Sequence, residues 1–409
     1  MLSIILAIAV FTGVVLALVG LLMAARRRLV ASGDVNIVIN DDESSPIKVP
    51  AGSTLLSALT ASRIFLPSAC GGKGSCGVCD VVVREGGGAL LPTETGQISP
   101  GAARRGVRLA CQVKVKSDMR VELPPEIFSI KKWTCDVISN RNVSTFIKEL
   151  KIALPEGEEV PFRAGGYMQI ECPAHQLSFR EFDIEPEFRE EWDKFDLWRF
   201  NSVVPEPVER AYSIASYPLE RGMLLFTIRI AFPPEYRDDI PPGVVSSWLF
   251  NLKPGDPVTV SGPFGEFHAR DTDNEMCFVA AGAGMAPMRS LIYDQLFRLK
   301  SKRPMTFWYS ARNLSEAFYV EELNQLEAEH DNFSWHLVLS EPRPEDNWTG
   351  PVGLVRQQAL RKCYLDSHPA PEDIEYYLCG PDKMNKAVIA MLTELGVERE
   401  NIMLDDFGF

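Results

Sequence analysis

Four cysteines have the spacing of ligands for an iron–sulfur cluster. Cys70, Cys76 and Cys79 follow a C-x5-C-x2-C pattern, and Cys111 lies further along the chain. Thiolates bind the two irons of a [2Fe–2S] cluster and supply the negative charge that it needs. We therefore predict a [2Fe–2S] cluster on these cysteines. The glycines among them free the backbone to wrap closely and to point N–H groups at the sulfurs; they are Gly71, Gly72, Gly74 and Gly77.

Two other interpretations of these cysteines stay open. A zinc site with four thiolates usually has two short cysteine pairs, whereas here a triplet lies among glycines and the fourth cysteine stands alone. Buried thiols that bind no metal are the second alternative. The spacing favours the cluster. Four further cysteines lack such a context and are interpreted as small core residues: Cys135, Cys172, Cys277 and Cys363.

A second group of residues could bind a flavin. Arg210 can neutralise a diphosphate with directed donors, Tyr212 can cover a flat ring, and Ser213 can donate to a ring nitrogen. Alone, this string is equally typical of a strand with ordinary surface residues. A second motif follows downstream, where N–H groups at a helix start can bind phosphate; its residues are Gly243, Val244 and Ser246. The two motifs in this order predict a flavin site.

Two turns could bind a nicotinamide dinucleotide. The buried-strand pattern of Met276–Ala281 leads into a glycine-rich turn and a helix, which is an arrangement that binds diphosphate. The turn departs from G-x-G-x-x-G because a proline replaces the third glycine. A Cys-Gly-Pro string ends a later strand and opens another helix. The residues predicted to contact NADH are Gly282, Gly284, Met285, Pro287, Cys379, Gly380 and Pro381.

Three residues could act where flavin and nicotinamide meet: Ser213, Cys379 and Phe407. Cys379 either contacts that junction or is merely buried. Phe407 either stacks on the flavin and moves when nicotinamide enters, or is a packed terminal aromatic. Arg312 follows a strand where a 2′-phosphate could be read, although a surface arginine is the simpler interpretation. The choice between NADH and NADPH is therefore open from the residues alone.

Three segments with different strand and helix patterns are expected to position these residues. Val35–Ile39 and Ile47–Val49 alternate like strands, and Ser53 can cap the helix that follows. Short strands without helices between them predict an antiparallel barrel over residues 129–271. Strands that alternate with helices predict a parallel sheet with helices on both faces over residues 272–409.

Residues Pro173–Pro207 interrupt the barrel pattern and are rich in Glu, Asp, Phe and Trp. A loop this long is uncommon in a compact domain unless it is functional or disordered. The aromatic residues suggest docking, so we hypothesise a partner-binding insertion. Its deletion is expected to abolish complex assembly and to spare NADH oxidation.

The N-terminus has the pattern of a membrane-spanning helix. No charged side chain occurs from Met1 to Ala25, and about 20 apolar residues span a bilayer core. Arg26, Arg27 and Arg28 follow at once, whereas a secretory signal carries its positive charge before the apolar run. This asymmetry predicts one span over residues 1–28 with the rest of the chain in the cytoplasm. The alternative is a buried core helix.

Length and composition limit the class of protein to which this chain can belong. A chain of 409 residues suggests two or three domains. The net charge of −13, without a long Lys/Arg run, argues against nucleic acid as a partner. Cysteines are too sparse for a small secreted disulfide scaffold.

In this order, the motifs resemble the ferredoxin-NADP reductase superfamily with an adrenodoxin-like ferredoxin fused in front. With the N-terminal run, the chain is most similar to the F subunits of sodium-translocating NADH:quinone oxidoreductases. The resemblance implies a multidomain α+β fold with a transmembrane helix. It also implies a β-grasp [2Fe–2S] ferredoxin domain at 33–128, an FAD-binding β-barrel and an α/β NADH-binding domain.

The resemblance further implies FAD, one [2Fe–2S] cluster and NADH as the electron donor. It also favours catalytic roles for Cys379 and Phe407, beside Ser213, where flavin and nicotinamide meet. A hydride would pass from NADH to FAD, and single electrons would pass to the cluster and on to membrane partner subunits. The whole complex would lie in the bacterial inner membrane, reduce ubiquinone and export sodium. The sodium path and the quinone site are not expected in this chain. Two rival functions are the reductase component of a multicomponent oxygenase and a non-enzymatic, membrane-tethered redox sensor.

Overall fold

The computed structural model describes residues 10–21, 33–234, 237 and 239–407, and the chain divides after Ile130 into two compact units. Helix α1 covers residues 10–21. Within the described ranges, no helix has both the length and the apolar character needed to cross a membrane. The other residues of the predicted span over residues 1–28, including the three arginines, lie outside the described residues.

The first unit is built on a five-stranded sheet in the order β2-β1-β5-β3-β4. Strands β1 and β5 are parallel, and the other neighbours are antiparallel. Helix α2 packs its buried leucines against the sheet. The elements are β1 Asp34–Ile39, β2 Ile47–Pro50, α2 Leu55–Ala61, β3 Asp80–Glu85, α3 Pro100–Arg104, β4 Val107–Leu109 and β5 Met119–Glu122.

The predicted cap of α2 is wrong by one residue. Thr54, not Ser53, is the N-cap, and its hydroxyl accepts a hydrogen bond from the Ser57 N–H at 3.1 Å. Ser53 instead belongs to the extended segment before the helix, since its carbonyl accepts from the Val115 N–H at 3.0 Å.

The second unit begins with the predicted antiparallel barrel, in the strand order β11-β8-β13-β6-β7-β12. The Ala215 N–H, just after β11, donates to the Leu225 carbonyl of β12 at 2.7 Å and brings the two edges together. The elements are β6 Lys131–Ser144, β7 Ile147–Ala153, β8 Tyr167–Cys172, β9 His175–Ser178, α4 Arg189–Lys194, β10 Asn201–Val204, β11 Val208–Ser213, β12 Met223–Arg229, α5 Val244–Asn251 and β13 Pro257–Phe264.

The insertion after β8 is folded onto the barrel. Strands β9 and β10 pair as a two-stranded antiparallel ribbon, and α4 lies between them in sequence. Trp192 of α4 is fully buried, donates to the Thr145 carbonyl at 2.8 Å and packs against Phe146 and Phe250. Most aromatic residues of the insertion therefore belong to the core of the barrel itself, whereas Phe195 is exposed.

The rest of the second unit is the predicted parallel sheet, in the order β16-β15-β14-β17-β18. Alternate residues of β14 face two different cores, so that Phe278 packs on one side and Val279 on the other. The elements are β14 Met276–Ala281, α6 Met285–Tyr293, β15 Met305–Ala311, α7 Val320–Glu329, β16 Phe333–Leu339, β17 Glu375–Cys379, α8 Asp382–Glu394 and β18 Ile402–Asp405.

The four isolated cysteines divide into two groups. Cys135, Cys172 and Cys277 are buried, as expected for small core residues. Cys363 is exposed, so the core interpretation is wrong for this residue. It lies beside the exposed Lys362 on the solvent side of the helical segment Val355–Tyr364.

Candidate functional site

The four predicted cluster ligands come together in the first unit as two thiol pairs. Cys70 contacts Cys76, and Cys79 contacts Cys111, while all four are free of disulfides. A [2Fe–2S] cluster needs two thiolates on each iron, and two pairs meet that need. Among the described residues, no three ligating side chains group tightly enough for a single metal ion. The two thiol pairs provide the donor set that a [2Fe–2S] cluster needs.

The surroundings of these thiols favour one thiolate in each pair. The contact from the Cys79 thiol lowers the pKa of Cys111 to about 6 against the opposing effect of burial, and the Gln112 amide lowers it further. Burial opposes ionisation of Cys70, but contacts from Cys76 and from nearby backbone N–H groups lower its pKa to about 7. The partners Cys76 and Cys79 have raised pKa values. Thiolate is the form that binds iron, so the donor set suits the group.

The predicted flavin residues of the second unit lie at the end of β11. The Arg210 guanidinium donates to the Glu209 carbonyl at 2.6 Å and has no carboxylate partner in the described part of the chain. Tyr212 is half-buried against the barrel core, and burial raises the pKa of its hydroxyl. Ser213 ends the strand and is almost fully buried. An arginine without a carboxylate partner beside a half-buried tyrosine suits a diphosphate and a flat ring.

The start of α5 is also open to an anion. Gly243 is the N-cap, and no side chain in the described part of the chain caps the helix, so the first N–H groups are left for a ligand. Val244 is the first helical residue. The Ser246 hydroxyl donates to the Gly243 carbonyl and accepts from the Ala231 N–H, both at 3.2 Å. It therefore holds the shape of the turn.

The two predicted nicotinamide turns are neighbours in the sheet. Strands β14 and β17 run in parallel with Ala280 beside Cys379, so both turns leave the same edge. The strand order reverses between them, which is where ligands bind in open α/β sheets. A side-chain carbon at Gly284 would lie 2.0 Å from the Cys379 carbonyl oxygen, so only glycine permits this approach. Gly380 and Pro381 follow at the uncapped start of α8.

Two residues predicted to contact NADH have buried side chains. Met285 and Pro287 lie in the first turn of α6 and point into the protein. Proline lacks an N–H group, so only the other backbone donors of this turn could meet a diphosphate. The helix has no side-chain cap, and the Gly282–Gly284 turn precedes it. The turn is held to the barrel because the Thr227 hydroxyl donates to the Ala283 carbonyl at 3.0 Å.

The antiparallel barrel and the parallel sheet of the second unit are in contact at Ser213. Its hydroxyl donates to the Asp405 carboxylate at 2.8 Å, and Asp405 pairs with Cys379 across strands β18 and β17. Burial raises the pKa of Asp405 to about 6, the Ser213 hydrogen bond opposes this, and Asp406 adds to it. Burial, together with Asp405 and Asp406, also raises the pKa of the Cys379 thiol well above its usual value. Cys379 is therefore a neutral thiol.

Phe407 follows Asp405 by two residues and is half-buried. It packs against the core that contains Ala283 and Cys379, so it lies near the predicted nicotinamide turns. Sequence reasoning missed Asp405 and Thr227. The Asp-Asp-Phe-Gly ending was a signal for Asp405, but its contact with Ser213 depends on the folded sheet.

Arg312 has its donors on two carboxylates. It donates to Glu191 of the insertion at 2.8 Å and to Glu316 at 2.7 Å. Glu316 is buried and accepts from the Thr145 hydroxyl at 2.5 Å. Arg312 thus joins the insertion, the barrel and the parallel sheet.

Three known domain families match this chain in the order of its motifs. The 2Fe-2S iron-sulfur cluster binding domain matches residues 38–116. The oxidoreductase FAD-binding domain matches residues 198–269, and the oxidoreductase NAD-binding domain matches residues 278–389. These ranges contain the cluster cysteines, both flavin motifs and both nicotinamide turns.

Curated relatives align with almost the whole chain. The F subunit of the Na(+)-translocating NADH-quinone reductase of Serratia proteamaculans is 58% identical over 99% of this chain and 100% of its own. The protein of the same name in Pseudomonas aeruginosa is 59% identical over 99% of both chains. That of Haemophilus ducreyi is 60% identical over 97% of both.

Solved structures with a similar fold have lower identity. The Amycolatopsis cytochrome P450 reductase GcoB has a TM-score of 0.61 at 21% identity, and the alignment covers 91% of this chain and 98% of that chain. The ferredoxin reductase in carbazole 1,9a-dioxygenase has a TM-score of 0.60 at 23% identity, covering 92% and 98%. At this identity the similarity concerns the fold alone.

Proposed function

This chain belongs to the family of F subunits of the Na(+)-translocating NADH-quinone reductase, and on that premise we propose that it is the NADH-oxidising, electron-entry subunit of a sodium-pumping NADH:ubiquinone oxidoreductase. One observation gives the strongest support for this proposal. The flavin strand, through Ser213, and the nicotinamide strands, through Cys379 and Asp405, meet at a single point. A site for transfer between two ring systems needs such a junction.

FAD, when bound, accepts a hydride from NADH and releases single electrons, which the cluster carries onward. In the chain itself, Arg210 and the start of α5 would bind the FAD diphosphate, and Tyr212 would cover the ring. The Ser213 hydroxyl has one proton, which it donates to Asp405 in this structure. With FAD bound, the hydroxyl would turn that proton to a ring nitrogen. The buried, neutral Cys379 keeps water from the junction.

The remaining contacts hold the nicotinamide dinucleotide. The turns at Gly282–Gly284 and Gly380 supply backbone donors at one edge of the sheet. Phe407 would cover the flavin and would move aside for nicotinamide. Cys70, Cys76, Cys79 and Cys111 hold the [2Fe–2S] cluster, and the domains are residues 33–128, 129–271 and 272–409.

The N-terminal segment attaches the protein to the bacterial inner membrane as a single span, with the other domains in the cytoplasm. Two facts support this assignment. The apolar side chains of α1 are exposed, with Phe11 at 71% and Leu21 at 69% of full exposure. Three arginines follow the apolar run in the sequence. Membrane partner subunits accept the electrons, and the insertion contributes to their binding.

Measurements on the purified membrane complex test the function. We expect rapid bleaching of the flavin by NADH and ubiquinone reduction that sodium stimulates. Absence of flavin bleaching would instead indicate a redox sensor. Bleaching without sodium-stimulated quinone reduction would indicate a reductase that serves another acceptor, such as an oxygenase.

A further inference from the structure

Gln112 lies directly against one sulfur of the cluster site. Its side-chain nitrogen is 3.3 Å from Cys111 Sγ and 3.4 Å from the Gly72 carbonyl oxygen. A carbonyl oxygen can only accept a hydrogen bond, so the amide nitrogen, and not its oxygen, must face these two groups. The half-buried Gln112 amide is therefore a donor to the Cys111 sulfur.

Thr93 fixes the orientation of this amide. The Thr93 hydroxyl donates to Gln112 Oε1 at 3.0 Å, which leaves the amide nitrogen turned toward the sulfur. Glu94, next in the chain, is fully buried, pairs with Arg108 at 2.7 Å and accepts from the Leu109 N–H at 3.0 Å. The Thr93 segment is thereby tied to the strand that leads into Cys111.

The amide also packs against Gly74. This residue has φ +78°, where a side chain would be strained, and a side-chain carbon there would lie 2.7 Å from Gln112 Nε2. The half-buried Gln112 side chain thus contacts Gly74, Gly72, Thr93 and Cys111. These contacts give the amide a defined direction.

We infer that the Gln112 amide, oriented by Thr93, raises the reduction potential of the cluster by donating a hydrogen bond to the Cys111 sulfur. This inference rests on the proposed cluster. Reduction adds negative charge to the cluster and its sulfurs, and a hydrogen-bond donor stabilises that charge. Thr93 acts through Gln112 and is a positioning residue.

The test is a redox titration of the full-length protein, followed by electron paramagnetic resonance, on variants that remove each hydrogen bond. Gln112→Met keeps the side-chain length and loses the donor. We expect its equilibrium constant for accepting an electron to fall about tenfold, which is about 59 mV for a one-electron couple. Thr93→Val should lower the potential by a smaller amount, and Thr93→Ser should restore it.

Gln97→Met is the matched control. Gln97 donates to the Ser75 carbonyl at 2.8 Å, so it also holds the cluster loop, but its bonding partner is a backbone oxygen. We expect this variant to keep the original potential. A fall as large as that of Gln112→Met would overturn the inference, because it would reflect general loosening of the loop.

Cluster content separates the two claims. Iron analysis and the paramagnetic signal of the unmodified protein test whether the cluster is present, and its absence would refute the proposed function. A full cluster in Gln112→Met with an unchanged potential would refute the inference alone. If Gln112→Met fails to retain the cluster, Thr93→Val decides, and an unchanged potential there would overturn the inference.

Discussion

The Ser213 hydroxyl donates a hydrogen bond of 2.8 Å to the Asp405 carboxylate, across 192 positions of sequence. Ser213 ends a barrel strand, and Asp405 ends the edge strand of the parallel sheet. This bond places a hydroxyl donor where the flavin and nicotinamide sites meet. The Asp405 carboxylate accepts the single hydroxyl proton of Ser213, so we propose that the hydroxyl turns this proton to the flavin when FAD binds.

Replacing Ser213 with alanine should slow the reduction of the flavin by NADH. A hydrogen bond to a group that becomes charged contributes about 1.5–3 kcal/mol, so we expect the rate to fall roughly 10- to 150-fold. Stopped-flow absorbance of the flavin measures this step. Ser216→Ala is the control, since that hydroxyl only accepts from the Leu225 N–H, and its rate should stay unchanged. An unchanged rate in Ser213→Ala would exclude the assigned role.

Replacing Asp405 with asparagine should change how stability depends on pH. Folding raises the pKa of this carboxyl to about 6, above its unfolded value near 4, because burial disfavours the charged form. Its stabilising contribution is therefore complete below about pH 4 and is lost as the pH rises through about 6. As the pH rises through this range, the free energy of unfolding should fall by about 2–3 kcal/mol in the unmodified protein. This fall should be absent in Asp405→Asn.

Urea unfolding at several pH values measures this difference. The exposed Asp136→Asn exchange also removes one carboxylate and should retain the pH dependence of the unmodified protein. If Asp405→Asn loses stability between about pH 4 and 7 as steeply as the unmodified protein does, Asp405 is not the group responsible.

Replacing Arg312 with alanine should leave the preference between NADH and NADPH unchanged. Glu191 and Glu316 occupy its donors, so a 2′-phosphate finds no free guanidinium there. We expect the ratio of the two kcat/KM values to stay within about threefold, and the stability to fall by about 1–2 kcal/mol because Glu316 is buried. Steady-state kinetics and thermal unfolding measure these quantities.

Arg361→Ala is the control for stability, since Arg361 also has two carboxylate partners but they are exposed. The Arg361→Ala exchange should lower the free energy of unfolding by less than about 1 kcal/mol. A tenfold change in the nucleotide preference of Arg312→Ala would show that Arg312 reads the 2′ position.

The features that were predictable from sequence are those in which ligand chemistry dictates both residue type and spacing. The cluster cysteines, the Arg210–Ser213 motif and the turns after β14 and β17 belong to this group. Asp405 could not be predicted, because its role depends on the packing of β18 beside β17. Composition likewise cannot show whether Trp192 packs against its own barrel or against a partner protein. The hydrogen bond from Trp192 to the Thr145 carbonyl shows that it packs against its own barrel.

Replacing Cys70 with alanine should separate the two halves of the electron path. The FAD-binding and NAD-binding families both match within the second unit, so NADH-to-dye activity should stay within about twofold of normal. Cluster signals and electron transfer to quinone should be lost, because one iron loses a thiolate. Cys363→Ala, at an exposed cysteine of the second unit, should retain both activities. Loss of dye reduction in Cys70→Ala would place the cluster before the flavin.

Partner binding by the insertion Pro173–Pro207 is better tested by point substitutions than by deletion of the insertion. Deletion would remove the fully buried Trp192 and its bond to Thr145, and losing such a side chain costs about 3–5 kcal/mol. The expectation that deletion spares NADH oxidation is therefore replaced by a test on exposed residues. Glu187 and Glu190 are exposed beside Trp192 and can be reversed in charge without touching the core.

The double exchange Glu187→Lys with Glu190→Lys should keep NADH-to-dye activity and reduce incorporation into the membrane complex. The reason is that a partner face which accepts acidic side chains would repel lysines. Size-exclusion chromatography of the solubilised complex measures incorporation. Glu398→Lys with Glu400→Lys makes the same charge change at exposed positions of the NADH-binding domain and should assemble normally. Full assembly of the insertion variant would show that this face of the insertion binds no partner.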